Sequence, residues 1–196
     1  MAKIQWKPGN MIYPLPAVMV SCGTEAENYN IITIAWTGTL CTNPPMTYLS
    51  IRPERYSYKI IKETGEFVIN LTTERLAKAT DYCGVKSGRD IHKFEAMKLT
   101  PVKGVAVKAP LIAESPVNIE CKVTEIKPLG SHDMFMAEVV AVNVDDDYLD
   151  AQGKFHLDQA APICYSHGNY FGLGNKLGSF GFSVAKKKVK AKRKGR

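Results

Sequence analysis

Two arginines and a serine stand close together in Ser50-Ile51-Arg52-Pro53-Glu54-Arg55-Tyr56-Ser57. A guanidinium presents five N–H donors in a rigid fork that matches phosphate oxygens, and a hydroxyl adds one more donor. The flanking residues favour the same chemistry. Met46 to Ile51 alternates and is rich in strand formers, so it reads as a strand. Pro53 stops that strand, because proline cannot donate to a ladder yet fits the first turn of a helix. Glu54 to Glu63 then reads as a short helix closed by Gly65. Arg52, Arg55 and Ser57 thus gather where a strand hands over to a helix N-terminus, whose free N–H groups and positive dipole end attract a phosphate. A solvated basic helix start, with surface salt bridges to Glu54 or Glu63, is the competing reading of these residues.

The elements around that corner are mostly strands. Ala17–Cys22, Ile31–Thr37, Glu66–Leu71, Val117–Ile126 and Met134–Val144 each carry a strand pattern. The last two, separated by Gly130-Ser131-His132-Asp133, read as an antiparallel hairpin. Gly38 lets another group approach the end of the second strand closely. Only two helices are convincing, the one after Pro53 and Glu74–Val85, which Thr72 or Thr73 caps. Cys41-Thr42-Asn43-Pro44-Pro45 reads as a rigid connection, Ser87 to Phe94 as a polar loop, and residues 154–184 as a glycine- and aromatic-rich segment. This pattern predicts a mainly β protein, a barrel or sandwich with Greek-key connections. A doubly wound Rossmann sheet is disfavoured, for no GxGxxG follows a strand.

At 196 residues the chain fits one domain, residues 1–185. Its formal charge of +7 misleads. Residues 186–196 hold eight Lys or Arg and no acid, which leaves the other 185 residues at −1 (+7 less 8). The basicity is a tail, expected to be disordered, and a charged nucleic-acid-binding face is not expected. Five scattered cysteines (Cys22, Cys41, Cys83, Cys121, Cys164) never form CxxC and read as free thiols in a reducing compartment. No zinc or other metal site is expected, and Asp145-Asp146-Asp147 reads as a solvated loop. With no apolar leader at the N-terminus and no apolar run of 18, neither secretion nor a membrane span is expected, so the protein reads as cytoplasmic.

Three further segments join the opening one: Asn30-Ile31-Ile32-Thr33-Ile34-Ala35-Trp36-Thr37-Gly38, Gly130-Ser131-His132-Asp133-Met134-Phe135, and His167-Gly168-Asn169-Tyr170-Phe171-Gly172-Leu173-Gly174. Together, in this order and spacing, they resemble the flavoredoxin branch of the flavin-reductase-like, FMN-binding split-barrel proteins, from about residue 10 to about 185. The resemblance implies a six-stranded split barrel, a homodimer, and one FMN per subunit at or near the dimer interface. By it, Arg52, Arg55 and Ser57 meet the flavin phosphate, and Lys93 matches a position that can reach the same group. Thr33, Ala35, Trp36 and Thr37 match the strand along the isoalloxazine; an ordinary strand, with a core or interface tryptophan, fits them too. His132 matches a turn histidine near the flavin and is the catalytic candidate, although many short-chain reductases carry two consecutive histidines where this chain has Ser131-His132-Asp133. His156 and His167 are weaker candidates. The implied activity is electron transfer through bound flavin, fed by NAD(P)H or a redox protein. The alternative is a split-barrel module for another ligand, such as haem.

Overall fold

The computed structural model describes residues 1–184; the basic tail at 186–196 lies outside the described residues. The strands in chain order are β1 (Leu15–Pro16), β2 (Val18–Cys22), β3 (Asn30–Ile34), β4 (Thr37–Cys41), β5 (Met46–Ile51), β6 (Glu66–Leu71), β7 (Pro101–Val102) and β8 (Leu111–Ile112). Four more follow: β9 (Val117–Pro128), β10 (Asp133–Val144), β11 (Ile163–Ser166) and β12 (Asn169–Gly172). The α-helices are α1 (Tyr56–Thr64), α2 (Ala77–Val85) and the single turn α3 (Lys93–Ala96).

Seven strands form one antiparallel sheet in the order β3-β2-β6-β9-β10-β5-β4. Its edge strands, β3 and β4, are consecutive in the chain and joined only by Ala35 and Trp36. In a flat sheet, six spacings of about 4.8 Å would hold those edges about 29 Å apart, yet two linking residues reach only about 10 Å. The sheet therefore curls until its edges approach, as a half-barrel, and Trp36 helps close it by accepting a hydrogen bond from the Ser50 N–H at 2.9 Å. The stretch Ile31–Thr37, expected as one strand, breaks at this corner. That break, with Thr37–Cys41 pairing as a strand of its own beside β5, gives seven strands in place of six.

Alternation sorts the side chains between two cores. Val18, Val20, Ile32, Ile34, Leu49, Phe67 and Phe135 fill the barrel, with Ile61 of α1 among them. Met19 and Ile31 point the other way and pack with Leu76, Ala79 and Cys83 around α2, and with Phe94 of α3. Because β2 is covered on both faces it reads as an apolar run without alternation. Gly84 allows α2 to lie close on β3, since a Cβ there would stand 3.2 Å from Thr33 Cβ.

The expected hairpin of β9 and β10 is present, with two register shifts. Helix α1 ends at Gly65, whose φ of 69° favours glycine and whose N–H reaches Ile61 O. It begins later than expected, at Tyr56. Pro53 takes a corner of a turn closed by the Arg55 N–H on Arg52 O at 3.0 Å, which a fixed proline φ suits equally well. Arg55 is thus the N-cap, and Arg52 stands a full turn before the helix. A small second sheet, β1-β11-β12, pairs Leu15–Pro16 with two strands of the glycine- and aromatic-rich segment.

Candidate functional site

The barrel seam opens into a cavity of about 570 Å³. Thr33, Ala35 and Trp36 come to it from the seam, Arg52 and Arg55 from the turn after β5, and His132 from the β9–β10 turn. Trp36 and His132 lie with their rings nearly parallel, 10° apart, at a centroid distance of 6.2 Å. One bond holds the histidine ring and another closes its turn. Ser131 Oγ lies 2.9 Å from His132 Nδ1, and the Leu129 N–H donates to His132 O at 3.0 Å. Next along the chain, Asp133 accepts a hydrogen bond from the Tyr58 hydroxyl at 2.5 Å, which ties this turn to α1. With Nδ1 engaged by Ser131, Nε2 is the ring nitrogen left to face a ligand.

The opposite wall comes from α2 and the small sheet, with Asp81, Gly84, Tyr165 and Tyr170 lining it. Burial, and then the charge of Asp81, push the Tyr170 phenol up, so it stays protonated and able to donate. Tyr165 and Tyr170 meet edge to face at 5.7 Å.

Arg55, Ile32 and Gly84 also line a second cavity of about 200 Å³, which adjoins the first and is strongly cationic. Ser57, Lys86, Arg89 and Lys93 converge on it. Ser57 is buried, and its hydroxyl accepts from Asn30 Nδ2 at 2.7 Å. The same hydroxyl also lies within hydrogen-bonding reach of the buried Cys22 thiol. Lys93 is only 3 % exposed; its ammonium donates to Ile31 O at 2.6 Å and Cys83 O at 2.8 Å. Three N–H groups less two carbonyl partners leaves one. Burial lowers the Lys93 pKa, against the opposing effect of the nearby Cys83 and Cys22 thiols. Burial likewise pushes those thiols up, Cys83 to about 11 and Cys22 to about 12, so they remain neutral neighbours.

The structure thus brings Thr33, Ala35, Trp36, Arg52, Arg55 and His132 to one cavity and Ser57 and Lys93 to the adjoining one. The Thr33 hydroxyl is engaged by Thr80 O, and its contribution to the wall is its carbon atoms and backbone. Thr37 lines neither cavity: it is buried and donates to Tyr48 O at 2.6 Å. Arg52 is half exposed and pairs with Glu54 at 3.3 Å, so the surface salt bridge read as the competing interpretation exists beside the cavity. His156 stands apart, bonded to Asp150 at 2.8 Å. His167 sits at the β11–β12 turn with its ring 4.3 Å from Tyr13. Asp145 caps a short turn by accepting the Asp147 N–H at 3.0 Å. Sequence reasoning missed Asn30, Asp81, Arg89, Tyr165 and Tyr170. Asn30 and Tyr170 stand inside segments that carried the resemblance but were not singled out, and all five become neighbours only when α2, the 87–92 loop and the small sheet fold over β3.

The arrangement offers an elongated slot with an aromatic end and a cationic end. Residues 10–174 match the flavin reductase like domain. An uncharacterized protein of Archaeoglobus fulgidus is 33% identical over 141 residues, covering 72% of this chain and 78% of that one. Among solved structures, the flavoredoxin of Desulfovibrio vulgaris (Miyazaki F) superposes with a TM-score of 0.85 at 30% identity, covering 94% of this chain and all of that one. The flavoredoxin of Methanosarcina acetivorans does so with a TM-score of 0.83 at 26% identity and the same coverage. With its curled split-barrel sheet and this match across most of its length, the chain belongs to the flavin reductase-like domain family.

Proposed function

We propose that the chain is a flavoprotein that binds FMN in the seam cavity and passes electrons through it, as a flavoredoxin or an NAD(P)H-dependent flavin reductase. One observation carries this reading. The slot has a flat aromatic boundary at Trp36 and His132, and Arg55, Ser57, Arg89 and Lys93 converge at its other end. A phosphate monoester carries about −1.5 to −2 charges at neutral pH and must be paired when partly buried. The free N–H groups at the start of α1 and the third N–H of Lys93 fit that need. The seam strands β3 and β4 supply apolar wall and backbone groups for a ring with one hydrogen-bonding edge.

Bound FMN would supply the redox chemistry itself. This chain's residues anchor the phosphate, confine the ring and present His132 Nε2 toward the site. Ser131 fixes the imidazole in plane, so a proton on Nε2 can stabilise negative charge placed nearby.

A homodimer is part of the proposal. Trp6 is 71 % exposed, and Met11, Ile12, Leu177 and Phe180 are exposed as well, toward the two ends of the described chain. Apolar exposure on that scale supports burial against a second copy. A mass in solution equal to a single chain would remove this part. A cytoplasmic location is also proposed; no described helix is long and apolar enough to cross a membrane.

The deciding experiment is the absorption spectrum of purified protein, expected to show a flavin band near about 450 nm. A colourless preparation that takes up no added FMN would overturn the reading. Uptake of haem instead would favour the binding-module alternative. Turnover with NADH or NADPH would then separate a reductase from a carrier reduced by another protein.

A further inference from the structure

His132 is carried at the tip of a long hairpin that is thinly braced there. Strand β9 pairs with β6 only from Asn118 to Lys122, and the Val123 N–H then reaches Gly65 O at 2.8 Å. From Glu125 to Pro128, β10 is the one strand paired with it among the described residues. On its other side β10 meets β5 only from Asp133 onward, so the turn at 129–132 projects beyond every ladder. Gly130 stands in that turn at a φ of 107°, and glycine is the least restrained residue of the backbone. A side chain on such a tip needs an outside anchor if it is to keep one orientation.

One side-chain hydrogen bond supplies it. The Tyr58 hydroxyl of α1 donates to Asp133 Oδ2 at 2.5 Å, and among the described residues no other side-chain hydrogen bond joins residues 125–133 to the rest of the chain. The phenol is itself fixed. Its ring meets Phe135 edge to face at 5.2 Å, and Lys62 Nζ lies 5.7 Å from its centroid. The bond to Asp133, and then burial, push the Tyr58 phenol up, so it keeps its proton and remains the donor. On the same first turn of α1, Arg55 and Ser57 line the cationic cavity, and the Tyr58 N–H donates to Arg55 O at 3.0 Å. The helix end suited to a phosphate is thus joined to the residue next to His132.

We infer that Tyr58 and Asp133 are positioning residues for His132: their bond holds its ring beside Trp36 from the same helix end that grips the flavin phosphate. This rests on the flavin reading above and deepens it. A group placed near the flavin ring acts more on the reduced ring, which carries more negative charge, than on the oxidised one. The phosphate is the same in both. Loss of the strut therefore weakens reduced FMN selectively, whereas loss of a phosphate contact weakens both forms alike. No covalent bond changes.

The test titrates flavin-free full-length protein with oxidised FMN and with FMN reduced anaerobically by dithionite, on wild type, Tyr58→Phe, Asp133→Asn and His132→Ala. Tyr58→Phe keeps the ring against Phe135, and Asp133→Asn keeps an oxygen for the Tyr58 proton, so both variants retain the fold. Tyr58→Phe is expected to weaken reduced FMN by about fivefold or more and oxidised FMN by about twofold or less. Asp133→Asn should match wild type within about twofold for both forms. Added to His132→Ala, Tyr58→Phe should change reduced-FMN affinity by no more than about twofold, because the two act through one ring. Equal weakening of both forms, no weakening of either, or the same loss in the His132→Ala background overturns the proposal and leaves FMN binding standing. An Asp133→Asn variant as weak as Tyr58→Phe also overturns it, by assigning the effect to the Asp133 charge. Wild type that binds neither form removes the flavin reading as well.

Discussion

Among the described residues two charged side chains are buried, Glu120 in the wall of the sheet and Lys93 behind the cationic cavity. Glu120 is wholly buried, yet its carboxylate accepts four hydrogen bonds: from the backbone N–H groups of Val105, Ala106 and Val107 and from Asn143. Gly104 approaches so closely that a Cβ there would sit 2.6 Å from Glu120 Oε2. Burial alone would raise the Glu120 pKa, but these donors outweigh it and hold the group below its ordinary range. Lys93 is nearly as buried, but only two of its three N–H groups meet carbonyls, and it borders a cavity. A buried charge whose partners are all internal locks a loop. One with a donor left over, facing a cavity, is placed for a ligand.

Substitutions can break that distinction, and Glu120→Ala carries the largest expected effect. It leaves three backbone N–H groups and Asn143 unpaired and is expected to cost about 3–5 kcal/mol of stability in urea unfolding. FMN affinity of the folded fraction should be unchanged. Weakened affinity at full folding would make Glu120 part of the site and erase the contrast.

Arg55→Ala comes next. It should weaken FMN by about 1.5–3 kcal/mol, the worth of a charge-assisted hydrogen bond, and leave the unfolding midpoint nearly in place. Arg52→Ala should do less, about threefold in affinity or under, because Arg52 is half exposed and already engaged by Glu54. Equal effects would mean that Arg52 leaves Glu54 when flavin binds.

Lys93→Met sharpens the comparison most directly. It keeps the buried stem but strands two carbonyls, for an expected loss of about 1–3 kcal/mol in stability together with weaker FMN binding. Loss of stability with normal flavin affinity would place Lys93 in the same structural class as Glu120.

The smallest effect is on acid tolerance. Glu120 has a folded pKa below its unfolded value of about 4.5, so its contribution is present above that value and is lost as pH falls through the folded one. Stability measured from neutral pH into that acidic window should fall less steeply in Glu120→Gln than in wild type. Parallel slopes would mean other carboxylates govern the acid limb.

Much of the fold was legible because it was written in short-range patterns. The alternation of Val117–Ile126 and the turn at Gly130-Ser131 specified the β9–β10 hairpin, since a strand's two faces see different solvents. Gly65 marked the end of α1 because its φ suits glycine. The start of α1 was misjudged by two residues because Pro53 fits a turn corner and a helix start alike. The break at Ala35–Trp36 was invisible, for nothing in Ile31–Thr37 says that its two ends must join opposite edges of a sheet.

The sequence by itself determined the mainly β class, the donor-rich corner at Arg52, Arg55 and Ser57, the turn bearing His132 and the concentration of basic residues at 186–196. These depend on spacing along the chain, and they carried the family resemblance. Only the tertiary structure decided that Thr37 turns inward, that Arg52 pairs with Glu54, and that Asn30, Arg89, Tyr165 and Tyr170 share the site. Asn30, Arg89 and the Tyr165–Tyr170 segment lie far apart in sequence and become neighbours through sheet curling and helix packing, where each residue's neighbours depend on every strand finding its register.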